Sequence, residues 1–304
     1  MKRILSIAGT DPTGGAGIQA DLKSISALGG YGMAVVTALV AQNTHGVRGI
    51  HTPPTAFLRQ QLDSVSDDVR IDAVKIGMLG DAATVAEVIN WLRQRRPPNV
   101  VLDPVMVATS GDRLLAADAE HAMLELLDQV DMITPNLAEL ALLMDEPVAE
   151  TWSDALGQGR RLMSRHDTRV LVKGGHLPGR GCPDALLVPG AAPVEITMER
   201  IDTVNTHGTG CSMSSGLATL KARTGDWQVA FEQTKSWLQE AIGHADDLDV
   251  GAGHGPIHHF YRLYAAAGMT DAPSAGTATD TTRDTSETSA GTATDPAGPH
   301  TTTL

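Results

Sequence analysis

The eight residues Asn205-Thr206-His207-Gly208-Thr209-Gly210-Cys211-Ser212 have the make-up of an anion site. An alternating apolar run, Val194 to Val204, leads in, and a helix-prone run, Met213 to Ala222, leads out. A glycine turn that feeds a helix leaves several backbone N–H groups unpaired and pointing one way. The helix dipole adds positive potential at the same place, and phosphate is the commonest anion such turns hold. Cys211 stands at the point of the turn, where a reactive group would meet the phosphate. A thiol at a helix N-terminus can have a lowered pKa, so Cys211 could take the proton of an attacking hydroxyl. These features suit the cradle of a small-molecule phosphotransfer site. An ordinary glycine turn with a small buried cysteine would look the same.

Other residues could share such a site. Asn136 and Glu139, three apart, fall on one helix face. They could hold a hydrated Mg2+, which needs few protein ligands, or they could form a helix cap. Asp103 ends a strand before Pro104 and could bind metal or position a nucleophile; a turn aspartate is the alternative. Lys173 ends a strand before two glycines and could meet phosphate oxygens, or lie on the surface. Asp21, one turn into a helix, could reach a ligand or could be a surface carboxylate suited to the dipole. Gly15-Ala16-Gly17-Ile18-Gln19-Ala20 fits G-x-G-x-x-A, a dinucleotide fingerprint. That fingerprint needs an acid about twenty residues on, and the chain has Thr37-Ala38-Leu39-Val40-Ala41-Gln42 there. Adjacent His258 and His259 diverge in direction and suit end-packing better than a shared metal. Cys182 reads as a loop thiol without a partner.

These residues need a scaffold that gathers strand ends. Apolar runs at Ile4–Ala8, Ala73–Leu79, Val100–Leu102, Met132–Thr134 and Arg169–Lys173 read as strands, with Met33–Val40 a further β-branched run. Ile18–Leu28, Thr55–Val65, Ala82–Arg93, Ala117–Leu127, Leu137–Met144, Trp152–Arg165 and Asp226–His244 read as helices. Asp184–Val188 and Val194–Met198 read as a hairpin. Alternating strands and helices predict an α/β fold, mainly parallel, with helices on both faces. In such sheets ligands bind beyond the carboxyl ends of the strands, and the polar motifs fall there.

Bulk composition narrows the classes. The chain has 304 residues, 42% hydrophobic but only 3% aromatic, so its core is aliphatic. A net charge of −13 argues against sequence-independent nucleic-acid binding. Two cysteines imply no disulfide framework. The N-terminal apolar run stops at Gly9, too short for a signal peptide, and no run has the length of a membrane span. A soluble cytoplasmic protein is the expectation. Residues 1–266 read as one domain and 267–304, rich in Thr, Ala, Ser, Gly and Asp, as a disordered tail.

Taken in order, Ala8-Gly9-Thr10-Asp11-Pro12-Thr13-Gly14-Gly15-Ala16-Gly17-Ile18-Gln19-Ala20-Asp21, Ala41-Gln42-Asn43-Thr44, Lys75-Ile76-Gly77-Met78-Leu79, Thr134-Pro135-Asn136-Leu137 and Asn205 to Cys211 closely resemble the hydroxymethylpyrimidine/phosphomethylpyrimidine kinases of thiamine biosynthesis. These belong to the ribokinase superfamily. The resemblance covers Ile4 to Tyr261 and implies a ribokinase-like three-layer fold. It implies that ATP phosphorylates 4-amino-5-hydroxymethyl-2-methylpyrimidine to its monophosphate and then to its diphosphate. It implies that Gln42 hydrogen-bonds the aminopyrimidine edge, helped by Asp21 and the backbone near Val40, while Gly9, Met78 and Val105 line the pocket. Gly208, Thr209 and Gly210 would form the anion hole, with Cys211 as base where most ribokinase-like enzymes carry Asp. Asp103, Asn136 and Glu139 would act around Mg2+, and Lys173 and Lys235 on the ATP phosphates. Related kinases are often dimers, so the resemblance allows a homodimer. Two rivals stand beside it: a pyridoxal kinase of the same superfamily, and a non-catalytic ligand-binding protein on this fold. Such pyridoxal kinases tend to carry a second Cys in the flap, which Pro104 to Asp112 lacks.

Overall fold

The computed structural model describes residues 1–106, 116 and 119–269. Its strands are β1 (Lys2–Ala8), β2 (Gly30–Val36), β3 (Leu39–Asn43), β4 (Gly46–His51), β5 (Ala73–Ile76), β6 (Val100–Leu102), β7 (Met132–Ile133), β8 (Arg169–Lys173), β9 (Gly181–Leu187) and β10 (Val194–Glu199). Its helices are α1 (Gly17–Ala27), α2 (Thr55–Asp68), α3 (Ala82–Arg95), α4 (Glu120–Leu127), α5 (Leu137–Met144), α6 (Trp152–His166), α7 (Thr209–Thr224), α8 (Trp227–Gly243) and α9 (Tyr261–Ala266). Eight strands form one sheet in the order β10-β9-β8-β7-β6-β5-β1-β2. From β8 to β2 every pairing is parallel, and the β9–β10 hairpin adds an antiparallel edge.

Alternation along each strand decides the layers. In β8, Val170 and Val172 face one core and Leu171 the other. Leu102 of β6 and Val74 of β5 join the first core, packed under α2 to α6. Val101 and Ala73 join the second, under α1, α7, α8 and α9. The result is a sheet between two helical layers, as the ribokinase-like reading expects. Asp81, Thr151 and Asp226 cap α3, α6 and α8 through their side chains.

One reading needs correction. The run Met33–Val40 is not one element. At Thr37 the chain turns away, its hydroxyl donating to the Met78 carbonyl at 2.6 Å. It then forms the separate antiparallel hairpin β3–β4. Its second strand, β4, goes unread, because Gly-Val-Arg-Gly-Ile-His is largely exposed and offers no apolar alternation. The start of the Ala117–Leu127 helix, most of the flap after Val105 and the proposed tail from 270 onward lie outside the described residues. Met1–Gly268 clusters as one compact unit. No helix among the described residues is long and apolar enough to cross a membrane.

Candidate active site

At the carboxyl ends of the parallel strands lies a cavity of about 510 Å³. Its wall takes in every residue the sequence assigns to the site except Asp21.

One side is the start of α7. Gly208 enters the helix at φ 81°, and no side chain caps it. A Cβ on Gly208 would fall 1.8 Å from the Gly15 carbonyl oxygen, so only glycine fits. The Thr209 hydroxyl donates back to the Thr206 carbonyl at 2.6 Å. The N–H groups of Gly210 and Cys211 have no protein partner among the described residues. Uncapped donors at a helix start, beside a cavity, are what an anion needs.

Opposite stand the strand-end charges. Asp103, after β6, accepts Lys173 Nζ at 2.9 Å and the Thr134 hydroxyl at 3.0 Å. Lys173 Nζ also lies 3.9 Å from Glu139 Oε2. A Cβ on Gly210 would sit 3.4 Å from both Asp103 Oδ2 and Lys173 Nζ, so α7 begins directly beside this pair. Asn136 and Glu139 form a complete capping box at α5: the Glu139 N–H donates to Asn136 Oδ1 at 2.9 Å and the Asn136 N–H to Glu139 Oε2 at 2.8 Å. Lys235, on α8, is ion-paired with Asp184 of β9. Both lysines therefore reach the cavity already matched to carboxylates.

Burial and these neighbours set the protonation states. Burial pushes Asp103 up, but the Lys173 and Lys75 ammoniums outweigh it and hold it below the usual carboxylate range. Burial pushes Glu139 up to about 7 against the pull of Lys173. Burial also pushes the Cys211 thiol up to about 11, although the Lys75 ammonium opposes it. The expectation of a lowered thiol pKa is thus corrected: burial, with the Asp21 and Asp103 carboxylates, outweighs the Lys75 ammonium and the Gly17 N–H.

The remaining wall is more apolar. Val40, Ala38 and Met78 form a small cluster with Val47. A β-bulge between Ala41 and Gln42 breaks the hairpin's register where Gln42 joins the wall. Gly9 leaves room for Met78, whose sulfur would lie 3.1 Å from a Cβ there. The segment 251–255 ties this hairpin to the α7 turn. The Gly253 and His254 N–H groups donate to the Thr44 hydroxyl and carbonyl, at 3.2 and 2.9 Å. The Gly255 N–H donates to Asn205 Oδ1 at 2.9 Å. A Cβ on Gly251, Gly253 or Gly255 would fall within 2.5 Å of Thr44 or Asn205 atoms.

Asp21 is the exception. It is wholly buried beneath the wall, where its carboxylate accepts Lys75 Nζ at 2.8 Å on both oxygens, Ser6 Oγ at 2.6 Å and Ser215 Oγ at 2.7 Å. With its lone pairs so engaged it does not line the cavity. The sequence reading also passes over several wall residues, Lys75, Asp184, Glu199, Arg200 and Cys182 among them. Lys75 hides in an apolar strand, where a lone lysine was the signal. Asp184 announces itself only through its partner Lys235. Cys182, read as a loop thiol, lies in β9 and lines the cavity. His259 is end-packed: its Nε2 lies within hydrogen-bond distance of the Ser212 hydroxyl, at 2.9 Å.

The sequence model of the family described as phosphomethylpyrimidine kinase matches residues 11–258. This chain belongs to that family. It is 51% identical over 264 residues to the hydroxymethylpyrimidine/phosphomethylpyrimidine kinase of Escherichia coli, covering 86% of this chain and 99% of that one. It is 54% identical over 274 residues to the thiamine biosynthesis multifunctional protein ThiED of Corynebacterium efficiens, covering 89% of this chain. The match spans only 37% of that longer protein. Among solved structures, an ADP complex of Bacillus subtilis pyridoxal kinase superposes with a TM-score of 0.80 at 30% identity, over 86% of this chain and 99% of that one. The fold is therefore ribokinase-like.

Proposed function

We propose that this chain transfers the terminal phosphoryl group of ATP to the hydroxymethyl group of 4-amino-5-hydroxymethyl-2-methylpyrimidine, and then to the monophosphate so formed. The observation that carries this is one cavity shared by the Gln42 hairpin and the uncapped start of α7. Gln42 offers an amide whose donor and acceptor match an aminopyrimidine edge. Val40, Gly9, Met78 and Val105 give its ring an apolar slot. The Gly210 and Cys211 N–H groups stabilise charge on the phosphoryl oxygens as it passes, which is the main demand of this chemistry. Lys173 and Lys235 exchange part of their carboxylate pairing for nucleotide phosphates. Cys211 stands beside these donors, and in its thiolate form it receives the hydroxyl proton.

Asp103, Asn136 and Glu139 supply only oxygen donors, which suits Mg2+. The capping box uses Asn136 Oδ1 and one Glu139 oxygen and leaves the other Glu139 oxygen free. Among the described residues no group of three or more His, Cys, Asp or Glu could hold a metal. That agrees with an ion bound by one or two carboxylates and by nucleotide phosphates. When bound it neutralises phosphate charge.

Both the family match and the 51% identity to the E. coli kinase support the pyrimidine over pyridoxal. The test is ATP consumption with the pyrimidine alcohol and pyridoxal side by side. The proposal expects a higher kcat/KM for the pyrimidine and a second turnover on its monophosphate. A higher kcat/KM for pyridoxal overturns it, and no ATP consumption with either points to a ligand-binding protein.

A further inference from the structure

Asp11 follows β1, is wholly buried and does not line the cavity. Its carboxylate nevertheless gathers five hydrogen bonds. Oδ1 accepts the Thr13 N–H at 2.9 Å and the Thr13 hydroxyl at 2.7 Å. Oδ2 accepts the Gly15 N–H at 3.1 Å and the Ala16 N–H at 2.7 Å, and lies 2.8 Å from His207 Nε2. Four of these donors come from Asp11's own loop. The fifth is 196 residues away, on the residue that immediately precedes Gly208.

The contact surfaces around this bond leave no slack. A Cβ on Gly15 would fall 2.6 Å from His207 Cδ2, and one on Gly208 would fall 1.8 Å from the Gly15 oxygen. The two glycine loops are interlocked, and Asp11 joins them. His207 is held from the other side too, its N–H donating to the Gly255 carbonyl at 3.0 Å. Asp11 is itself fixed by Gln19, whose Oε1 accepts the Asp11 N–H at 2.8 Å.

We propose that Asp11 and His207 are the positioning pair of the anion hole: the buried carboxylate draws His207 onto the first glycine loop and so fixes the direction of the Gly210 and Cys211 N–H groups. This rests on the reading of those groups as the hole for the transferring phosphoryl group. Asp11 lies outside the cavity wall, and His207, which lines it, stands in the chain beside Gly208 rather than in the Gln42 hairpin. Donors that matter chiefly as charge develops act on kcat and not on ground-state binding. A displacement of the hole by an ångström costs about 10²-fold in rate.

The test uses the full chain and four readouts: kcat, pyrimidine KM, inhibition by ADP with aluminium fluoride as a mimic of the transferring group, and Tm. Asp11→Asn and His207→Ala should each lower kcat by about 10²-fold and weaken aluminium fluoride inhibition by a similar factor, while pyrimidine KM stays within about twofold. His207→Gln keeps an N–H donor for Asp11 and should recover most of the rate. Thr13→Val removes a hydrogen bond from the same carboxylate without touching His207 and should keep kcat. Should Asp11→Asn fail to fold, His207→Ala against His207→Gln decides alone. The proposal is overturned if Thr13→Val and Asp11→Asn lower kcat equally in step with Tm, or if His207→Ala keeps full kcat. Gly210→Ala separates the two levels. If it leaves aluminium fluoride inhibition intact, the anion-hole reading itself fails. If it abolishes inhibition while Asp11→Asn and His207→Ala do not, only the positioning role fails.

Discussion

Substituting Asp21 by Asn separates two accounts of that residue. The family resemblance assigns Asp21 to the pyrimidine edge, whereas the structure engages it with Lys75, Ser6 and Ser215, both charged partners having no exposed surface. Asn keeps the shape but removes the charge, leaving the Lys75 ammonium buried without a counter-charge. Breaking a buried pair in this way costs about 3–5 kcal/mol. For a domain of this size each kcal/mol lowers Tm by roughly 2–4 °C, so the fall should be roughly 6–20 °C. Lys75→Met should cost a similar amount by stranding Asp21. The double variant Asp21→Asn/Lys75→Met strands neither charge and should be more stable than either single variant. Guanidinium unfolding and thermal melts measure the three losses, and steady-state kinetics below the melting range gives pyrimidine KM. An Asp21→Asn protein that keeps its stability but shows a sharply raised KM would refute the structural account and return Asp21 to the substrate.

Three further outcomes follow from the site. Cys211→Ser should lower kcat with little change in pyrimidine KM, and an unchanged kcat removes the base assignment; in a Cys182→Ser background, iodoacetamide should alkylate Cys211 slowly at neutral pH and faster as pH approaches about 11, so rapid pH-independent labelling contradicts the buried-thiol reading. Gly251→Ala forces a side chain at φ 77° to within 2.5 Å of Thr44 Oγ1 and should raise pyrimidine KM roughly tenfold by shifting the Gln42 hairpin, whereas a wild-type KM would show that the hairpin is positioned independently. Glu139 is raised from 4.5 to about 7, so its folded form binds the proton that its unfolded form releases; in magnesium-free buffer its contribution to stability is full below pH 4.5 and is lost as pH rises to about 7, and the stability of wild type minus that of Glu139→Gln, from unfolding curves, should fall across that window.

Sequence legibility followed physical locality. The parallel sheet was legible because both its faces are buried, which forces short apolar strands between amphipathic helices. The anion turn was legible because Gly208 must adopt a left-handed conformation that side chains disfavour, and glycine marks such positions. Residues whose roles depend on distant partners were not legible. Asp21 looks like a carboxylate near a helix start until β5 brings Lys75 over it. Gly251, Gly253 and Gly255 carry no meaning until Thr44 and Asn205 press against them. The Asn136–Glu139 pair shows a third case, since its two readings do not compete. One Glu139 oxygen completes the cap, and the residue still lines the cavity.

Charge balance gives a reason for a thiol at position 211. Asp103, Glu139, Asp184 and Glu199 already line the cavity, and Asp21 lies just beneath it. Lys173, Lys235 and Lys75 are paired with Asp103, Asp184 and Asp21, and Arg200, which also lines the cavity, donates to the Gly175, Leu177 and Gly179 carbonyls. A carboxylate at 211 would add a buried negative charge where a phosphoryl group must also enter. A thiol held up to about 11 stays neutral on entry. On the proposed reading it must first lose its own proton, because a neutral S–H cannot take up another. In a loose phosphoryl-transfer transition state there is little bond formation to the attacking oxygen, so the hydroxyl proton can leave late. The neighbouring Lys75 ammonium favours the thiolate form, because its field is the main force opposing burial at the sulfur, and that thiolate then takes the hydroxyl proton. The ion pair that removes Asp21 from the substrate is thus what holds Lys75 in place to serve Cys211.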